Sequence, residues 1–293
     1  MLNSKVLSSN LERCDNLYKL IALDLDGTLL TDNKTITQEN LDTLHHLMDL
    51  GYEVVIATGR GYYSARTLTK NINEHLIYIC NNGNIIRDAM DNKTLSTKFL
   101  DPEDSKIILE EGFSRGLDPI IHVDYFHDGY DIIINKDNYY ANLYVDESNP
   151  SYRAKIIGED LEKDLDRILA LVYPGNIDTL KDFNYSISEL YPGKYNSHVM
   201  ENVQMAEGLL EVMNPVGTKW NTLIEYASSI GVKAKEIIAI GDDNNDIEMI
   251  MNAGLGIAMN NGGRLIKEVS NKISKRSNND SGVAFELKRA LDI

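Results

Sequence analysis

The sequence predicts an α/β protein: a parallel sheet covered by helices on both faces and interrupted by a second α/β segment. Three observations carry that expectation. Short apolar runs at Leu20–Leu23, Tyr52–Ala57 and Leu76–Cys80 alternate with stretches of helical periodicity, the pattern of successive β-α-β units. A similar run, Ile237–Ile240, recurs far downstream. Between these two groups the pattern breaks into short strand candidates separated by turns and acidic helical stretches.

Taken in order, residues 1–17 hold Lys5, Glu12, Arg13 and Asp15 and lack a continuous apolar stretch, so they read as an N-terminal extension and not a signal peptide. Leu20–Leu23 is the first strand. Thr37 then caps a helix whose apolar stripe is Leu41, Leu44, Leu47 and Met48, and Gly51 closes it. A strand over Val54–Ala57, a helix around Ser64–Asn71 and a strand over Leu76–Cys80 complete the opening units. From about Arg87 the strand candidates become Ile120–Val123, Ile132–Ile134, Leu169–Val172 and Leu209–Met213, with helices over Glu159–Arg167 and Thr179–Leu190. The first pattern resumes with a helix from about Thr218 to Gly231 and the strand Glu236–Ile240. The expected division is therefore residues 1–86 and 214–293 as one domain, with 87–213 inserted.

The bulk properties narrow the function classes. A chain of 293 residues is long enough for two cores, and 43% hydrophobic with 25% charged residues is the balance of a globular protein. A formal net charge of −16 argues against nucleic acid as a partner, since a phosphate backbone requires a basic surface. No window reaches the apolar length of a membrane span. The two cysteines, Cys14 and Cys80, are too few for a disulfide framework. The expected setting is the cytoplasm, as a monomer or weak homo-oligomer.

Chemistry enters at Asp24-Leu25-Asp26-Gly27-Thr28, directly behind the first strand. Side chains alternate along a strand, so Asp24 and Asp26 project to one side, where like charges demand a cation or a proton between them. On its own this is an acidic strand-to-turn junction. Three further signals follow in fixed order: Thr58-Gly59-Arg60 behind the second strand, Lys219 in Pro215-Val216-Gly217-Thr218-Lys219, and Gly241-Asp242-Asp243-Asn244-Asn245-Asp246 behind the downstream strand. The last segment mimics the start of a calcium-binding EF-hand loop, but Ile247 stands where that loop needs glycine. Ligands of open parallel sheets lie beyond the carboxyl ends of the strands, and all these residues fall at such ends.

Over residues 18–293 this order of motifs resembles the haloacid dehalogenase superfamily, in its Cof-type branch with a large α/β cap. Asn82-Gly83, Gly254–Met259 and Asp280–Ala284 belong to the same likeness. The resemblance implies a Rossmann-like doubly wound core with an inserted cap, and a Mg²⁺-dependent phosphatase of small phosphorylated metabolites acting through an aspartyl-phosphate. It implies Asp24 as nucleophile and Asp26 as general acid and base. Asp24, Asp26 (through its backbone carbonyl), Asp242 and Asp243 are then the expected metal ligands, and Leu25, Thr58, Gly59, Lys219 and Asn245 the phosphate-binding residues. Thr28, Arg60, Asn82 and Asp246 are expected to support them. Arg60 either reaches substrate or ties its loop to the cap. A sugar phosphomutase would share the phosphoryl-enzyme step, and only the acceptor, water or a second sugar hydroxyl, separates the two. A non-catalytic phosphosugar-binding protein would have no need of Asp26.

Two departures from the family pattern stand out. Trp220 follows the lysine where relatives usually carry glycine, and Ala258-Met259-Asn260-Asn261-Gly262 replaces Ala-Met-Gly-Asn-Ala. Trp220 either packs within the core or projects toward the cap and narrows the pocket. The aromatic and histidine residues of the insert (His122, Tyr125, Phe126, His127, Tyr130, Tyr139, Tyr140, Tyr144) either pack the cap sheet or line a sugar-binding surface, with packing the expectation. His45 and His46 sit on a helix without metal-ligand spacing and are expected to be structural.

Overall fold

The computed structural model describes residues 17–73, 75–137, 139–140, 153–157, 161–203 and 206–293. Cys14, Tyr144, Glu159 and nearly all of the N-terminal extension lie outside these residues. Fourteen strands, in chain order, are β1 Leu20–Leu23, β2 Glu53–Ala57, β3 Ile77–Cys80, β4 Ile85–Asp88, β5 Thr94–Thr97, β6 Ile120–Tyr125, β7 Tyr130–Ile134, β8 Ala154–Ile156, β9 Ile168–Gly175, β10 Asn196–Val203, β11 Ala206–Met213, β12 Ile237–Gly241, β13 Leu255–Ala258 and β14 Lys272–Ile273, among the described residues. They form an eight-stranded sheet in the order β14-β13-β12-β1-β2-β3-β4-β5 and a six-stranded sheet in the order β10-β11-β9-β6-β7-β8.

In the larger sheet β1 is central, paired in parallel with β2 on one side and β12 on the other. All four of its side chains are fully buried. Ile21 and Leu23 face one layer, with Leu44, Leu47, Ala65, Val283 and Leu287 from helices Gln38–Asp49, Tyr62–Thr69 and Gly282–Leu291. Leu20 and Ala22 face the other, with Leu223, Ala227, Met249, Ile250 and Ile266 from helices Lys219–Ser229, Ile247–Asn252 and Arg264–Val269. A strand buried on both faces explains the unbroken apolar runs. Because the chain leaves β1 toward β2 and returns to its other side at β12, β1 marks the switch point of a doubly wound sheet, where ligands bind.

The helix start at Gln38 follows the Thr37 cap expected from the sequence, and Thr218 proves to cap the later helix. Thr37 accepts a hydrogen bond from the Asn40 amide, and Thr218 accepts one from the Asn221 amide, which sets Lys219 as the first residue of its helix.

The change of pattern at Arg87 does not mark departure from the larger sheet. β4 pairs antiparallel with β3, and β5 with β4, so residues 87–97 remain part of it. An antiparallel hairpin alters the periodicity while still extending the sheet edge. The six-stranded sheet closes with β11 at Met213, where the sequence places the end of the insert. Helices Pro102–Ser114 and Ile177–Leu190 cover one of its faces through Ile108, Leu109, Leu180, Phe183 and Ile187. Within the helical stretch expected over Glu159–Arg167, residues Leu161–Arg167 form a 3₁₀-helix.

Trp220 is partly buried and packs against the layer that holds Leu223, Ala227 and Met249. That is the core-packing alternative. Trp220→Ala should lower stability by about 3 kcal/mol, the low end for loss of a large aromatic because the ring is only partly buried. Urea unfolding checks the loss, and a shift in substrate preference without it would contradict the packing role.

Candidate active site

The tips of β1 and β12 are held in contact by a backbone that only glycine permits. Asp24 N–H donates to the Ile240 carbonyl at 3.0 Å, and Gly27 then turns with φ +76°. A Cβ at Gly27 would lie 2.2 Å from Asp242 Oδ2, so any side chain there would displace the Asp242 carboxylate. Thr28 Oγ1 donates to Asp242 Oδ1 at 3.0 Å across this junction. Asn261, which matches the family pattern between the departures at Asn260 and Gly262, donates from Nδ2 to the Gly27 carbonyl at 2.7 Å and buttresses the turn.

Asp24, Asp242 and Asp246 offer carboxylate oxygens that all lie within 4.8 Å of one another. Lys219 is 1% exposed and spans two of them, with Nζ 2.8 Å from Asp24 Oδ1 and 2.7 Å from Asp246 Oδ1. Asp246 Oδ2 accepts from the amides of Asp242 and Asp243 at 3.0 and 3.2 Å. One cation therefore faces three carboxylates. Burial, together with the charges of Asp246 and Asp242, raises Asp24 well above the usual carboxylate range despite Lys219. Burial and the Asp246 charge push Asp242 up to about 7. Lys219 is held above its ordinary value, since the two carboxylates outweigh its burial.

This donor set fits a hard divalent cation. Asp24 Oδ2 and Asp242 Oδ2 accept no hydrogen bond among the described residues, and excess negative charge surrounds them. Asp246, expected only in support, sits within the cluster. The Asp243 side chain lies outside it, with Oδ1 accepting from the Asn244 amide.

The Asp26 side chain also lies outside. Arg60 grips it through two hydrogen bonds, Nε to Oδ2 at 2.5 Å and Nη2 to Oδ1 at 2.8 Å, and Lys34 Nζ reaches Oδ1 at 2.6 Å. Burial acts to raise Asp26, but these two cations override it and hold the carboxyl at about 2. Arg60 thus ties the second strand's loop to the first strand's tip.

Thr58 is buried behind β2 and accepts the Arg60 amide at 3.1 Å. Asn82 follows β3 in the left-handed region (φ +55°) and accepts from Asn245 Nδ2 at 2.9 Å. Its own amide donates to Glu211 on β11 at 2.8 Å, linking the larger sheet to the smaller. At Gly83, with φ +110°, a Cβ would stand 2.2 Å from the Thr218 carbonyl. That close approach, with Thr222 Oγ1 donating to the Gly83 carbonyl at 2.6 Å, sets the depth of Lys219. Leu25 is fully buried, and Gly59 packs beside Asn82.

A cavity of about 630 Å³ opens between the sheets. Its core side is formed by Asn82, Thr218, Lys219, Asp243–Asn245 and Glu248, and its other side by Asn196, His198–Glu201 and Met213 of β10 and β11. The residues Asn196, His198, Glu201 and Glu248 are absent from the sequence reading, as is Lys34. Lys34 left a faint signal as a cation eight residues beyond Asp26. The β10 residues left none, because nothing in local sequence shows which face of an inserted hairpin will turn toward a strand tip far away in the chain.

None of the cap aromatics listed above that the structure describes lines this cavity. Tyr125 stacks on Tyr130 at 4.8 Å, and Phe126 meets Tyr62 edge-on at 5.0 Å. His45 Nε2 contacts the Ile72 carbonyl. His122 is buried, with Nδ1 3.0 Å from Asn81 Nδ2, and burial holds it below the ordinary histidine value against the opposing charges of Glu211 and Asp131. The unfolded chain takes up this proton near pH 6.5 while the folded chain resists it, so His122 should cost stability as pH falls below 6.5. His122→Asn should therefore show a flatter decline of Tm than the wild type between about pH 6.5 and pH 5. Parallel Tm–pH curves would refute this. His198, raised by Glu211, contributes with the opposite sign, so the comparison is made between variant and wild type.

The sequence pattern that defines the haloacid dehalogenase-like hydrolases matches residues 21–287. The chain belongs to that family. This hydrolase is 28% identical over 284 residues to the 5-amino-6-(5-phospho-D-ribitylamino)uracil phosphatase YitU of Bacillus subtilis (strain 168), covering 94% of this chain and 98% of that one. It is 29% identical over 280 residues to YcsE of the same organism, a phosphatase of the same description, covering 95% and 98%. Among solved structures, a haloacid dehalogenase-like hydrolase from Bacteroides thetaiotaomicron superposes with a TM-score of 0.79 at 25% identity, over 93% of this chain and 99% of that one. The α/β fold, the family and the enzyme class expected from the sequence are those of this hydrolase. Among the described residues, no helix is long and apolar enough to cross a membrane.

Proposed function

We propose that this hydrolase is a Mg²⁺-dependent phosphatase of small phosphorylated metabolites that works through an aspartyl-phosphate. The observation that carries the proposal is the cluster of Asp24, Asp242 and Asp246 around Lys219, beside a cavity of metabolite size. The relatives' phosphatase descriptions favour water, over a second sugar hydroxyl, as the final acceptor.

Asp24 attacks phosphorus through one carboxylate oxygen, while the Lys219 hydrogen bond to Oδ1 fixes the carboxylate plane. The P–O bond to the leaving group breaks as the bond to Asp24 forms. Asp26 gives the departing alkoxide a proton, and then takes one from the water that hydrolyses the aspartyl-phosphate. In its present pairing Asp26 is a carboxylate between Arg60 and Lys34, so donation requires that both cations withdraw and that the carboxylate first take a proton from solvent. Lys219, Asn245, Thr58 and the amides of Leu25 and Gly59 lie at the strand tips and supply donors and charge for the phosphate oxygens. Asp24 and Asp242 would hold Mg²⁺, with Asp246 behind them. When bound, the ion offsets the repulsion between carboxylates and phosphate and orients the phosphoryl group.

Hydrolysis of p-nitrophenyl phosphate should require Mg²⁺ or a similar hard ion and vanish with chelator. Calcium should inhibit, because its longer, looser coordination misplaces the phosphoryl group. Full turnover in metal-free buffer would sink the proposal.

A further inference from the structure

Resting on the phosphatase reading, we infer that the substrate's leaving group carries no second anionic group and is an uncharged or cationic polyhydroxy moiety. The cavity beyond the phosphate decides this by its charge. Lys219 is the only lysine or arginine among its described lining residues, and it is already shared by Asp24 and Asp246. Three carboxylates line the remainder: Asp243 and Glu248 on the core side and Glu201 on β10.

Glu248 has no ion-pair partner among the described residues. Glu201 lies 2.6 Å from Lys181, which is not among the lining residues and offsets part of its charge, so Asp243 and Glu248 carry most of the field. The other lining side chain that can be cationic, His198, is engaged by Glu211 at 3.3 Å. A divalent cation at Asp24, Asp242 and Asp246 would compensate those three groups, and Glu201 and Glu248 lie outside that cluster.

A second phosphate or a carboxylate on the substrate would thus sit among like charges with no cation to receive it, and such juxtaposition is strongly disfavoured. Hydroxyl groups find acceptors in Glu201 and Glu248 and mixed partners in Asn196 and Asn244. An ammonium group finds complementary charge.

Three esters matched in carbon number and phosphate position test this: glucose 6-phosphate, glucosamine 6-phosphate and 6-phosphogluconate. Each is assayed as a competitor of p-nitrophenyl phosphate hydrolysis, so that a KI is obtained whether or not the ester is turned over. The KI of 6-phosphogluconate should exceed that of glucose 6-phosphate by about tenfold or more at low ionic strength. The gap should narrow as salt is raised, and glucosamine 6-phosphate should bind at least as well as glucose 6-phosphate. Glu248→Gln combined with Glu201→Gln should shrink the ratio several-fold. Equal constants for the three esters overturn charge selection while leaving the phosphatase reading intact. Failure of all three to compete overturns the polyhydroxy class. No turnover of p-nitrophenyl phosphate with Mg²⁺ overturns the phosphatase reading and this inference with it.

Discussion

Asp24→Asn should leave a folded protein whose turnover of p-nitrophenyl phosphate is below about a thousandth of wild type, the scale of loss when a nucleophile is removed. The substitution is nearly isosteric, and its amide oxygen can still accept the Lys219 hydrogen bond that Asp24 Oδ1 accepts at 2.8 Å. It removes a buried negative charge that Asp242 and Asp246 already crowd. Stability should therefore hold or rise while catalysis disappears, a separation that a merely structural aspartate would not produce. Thermal unfolding measured beside steady-state kinetics reads both. Turnover above that thousandth would remove Asp24 from the nucleophile role, and a fall in Tm matching the fall in rate would reduce it to a scaffold residue.

Lys219→Met should be the most destabilising single change at the site. The lysine is nearly fully buried and bridges two carboxylates that are 7% and 0% exposed. Without it Asp24 and Asp246 remain buried and uncompensated, which costs about 3–5 kcal/mol when one partner of such a pair is removed. Methionine preserves most of the volume, so the loss is electrostatic and not a cavity effect. The double variant Lys219→Met/Asp246→Asn should recover part of that stability, because the second change removes one of the stranded charges. Urea unfolding of wild type, both single variants and the double variant measures the coupling. Additive losses would show that Lys219 does not neutralise the cluster. Activity should stay absent in both lysine variants, since the phosphate loses its buried cation.

Much of this molecule is written in local sequence. The runs Leu20–Leu23 and Ile237–Ile240 are apolar throughout because both faces of their strands are covered, and a fully buried strand leaves no polar alternation to mislead the reader. Thr37 announces its helix because a cap hydrogen bond spans only three residues. The loaded tips at Asp24 and Asp242 were legible for the same reason: strand, turn and carboxylate are contiguous. At residues 87–97 local sequence does not say which sheet the strands join, because an antiparallel hairpin at a sheet edge and the first strands of an insert have the same short-range pattern.

Packing settled what contiguity could not. Asp246 enters the carboxylate cluster because Lys219, 27 residues upstream, points into the junction, and only the stacking of β12 beside β1 places Asp24 there as well. Arg60 closes on Asp26 because the loop after β2 meets the tip of β1, a pairing outside both roles expected from the sequence. Trp220 was open until helix Lys219–Ser229 packed with its ring against the core layer. The charge of the cavity depends on Asp243 and Glu248 from the core and, in part, on Glu201 from β10, 47 residues before Glu248. Side-chain identity travels with the chain, but which side chains share a field depends on distances of a few ångströms, and those exist only once the two sheets are assembled.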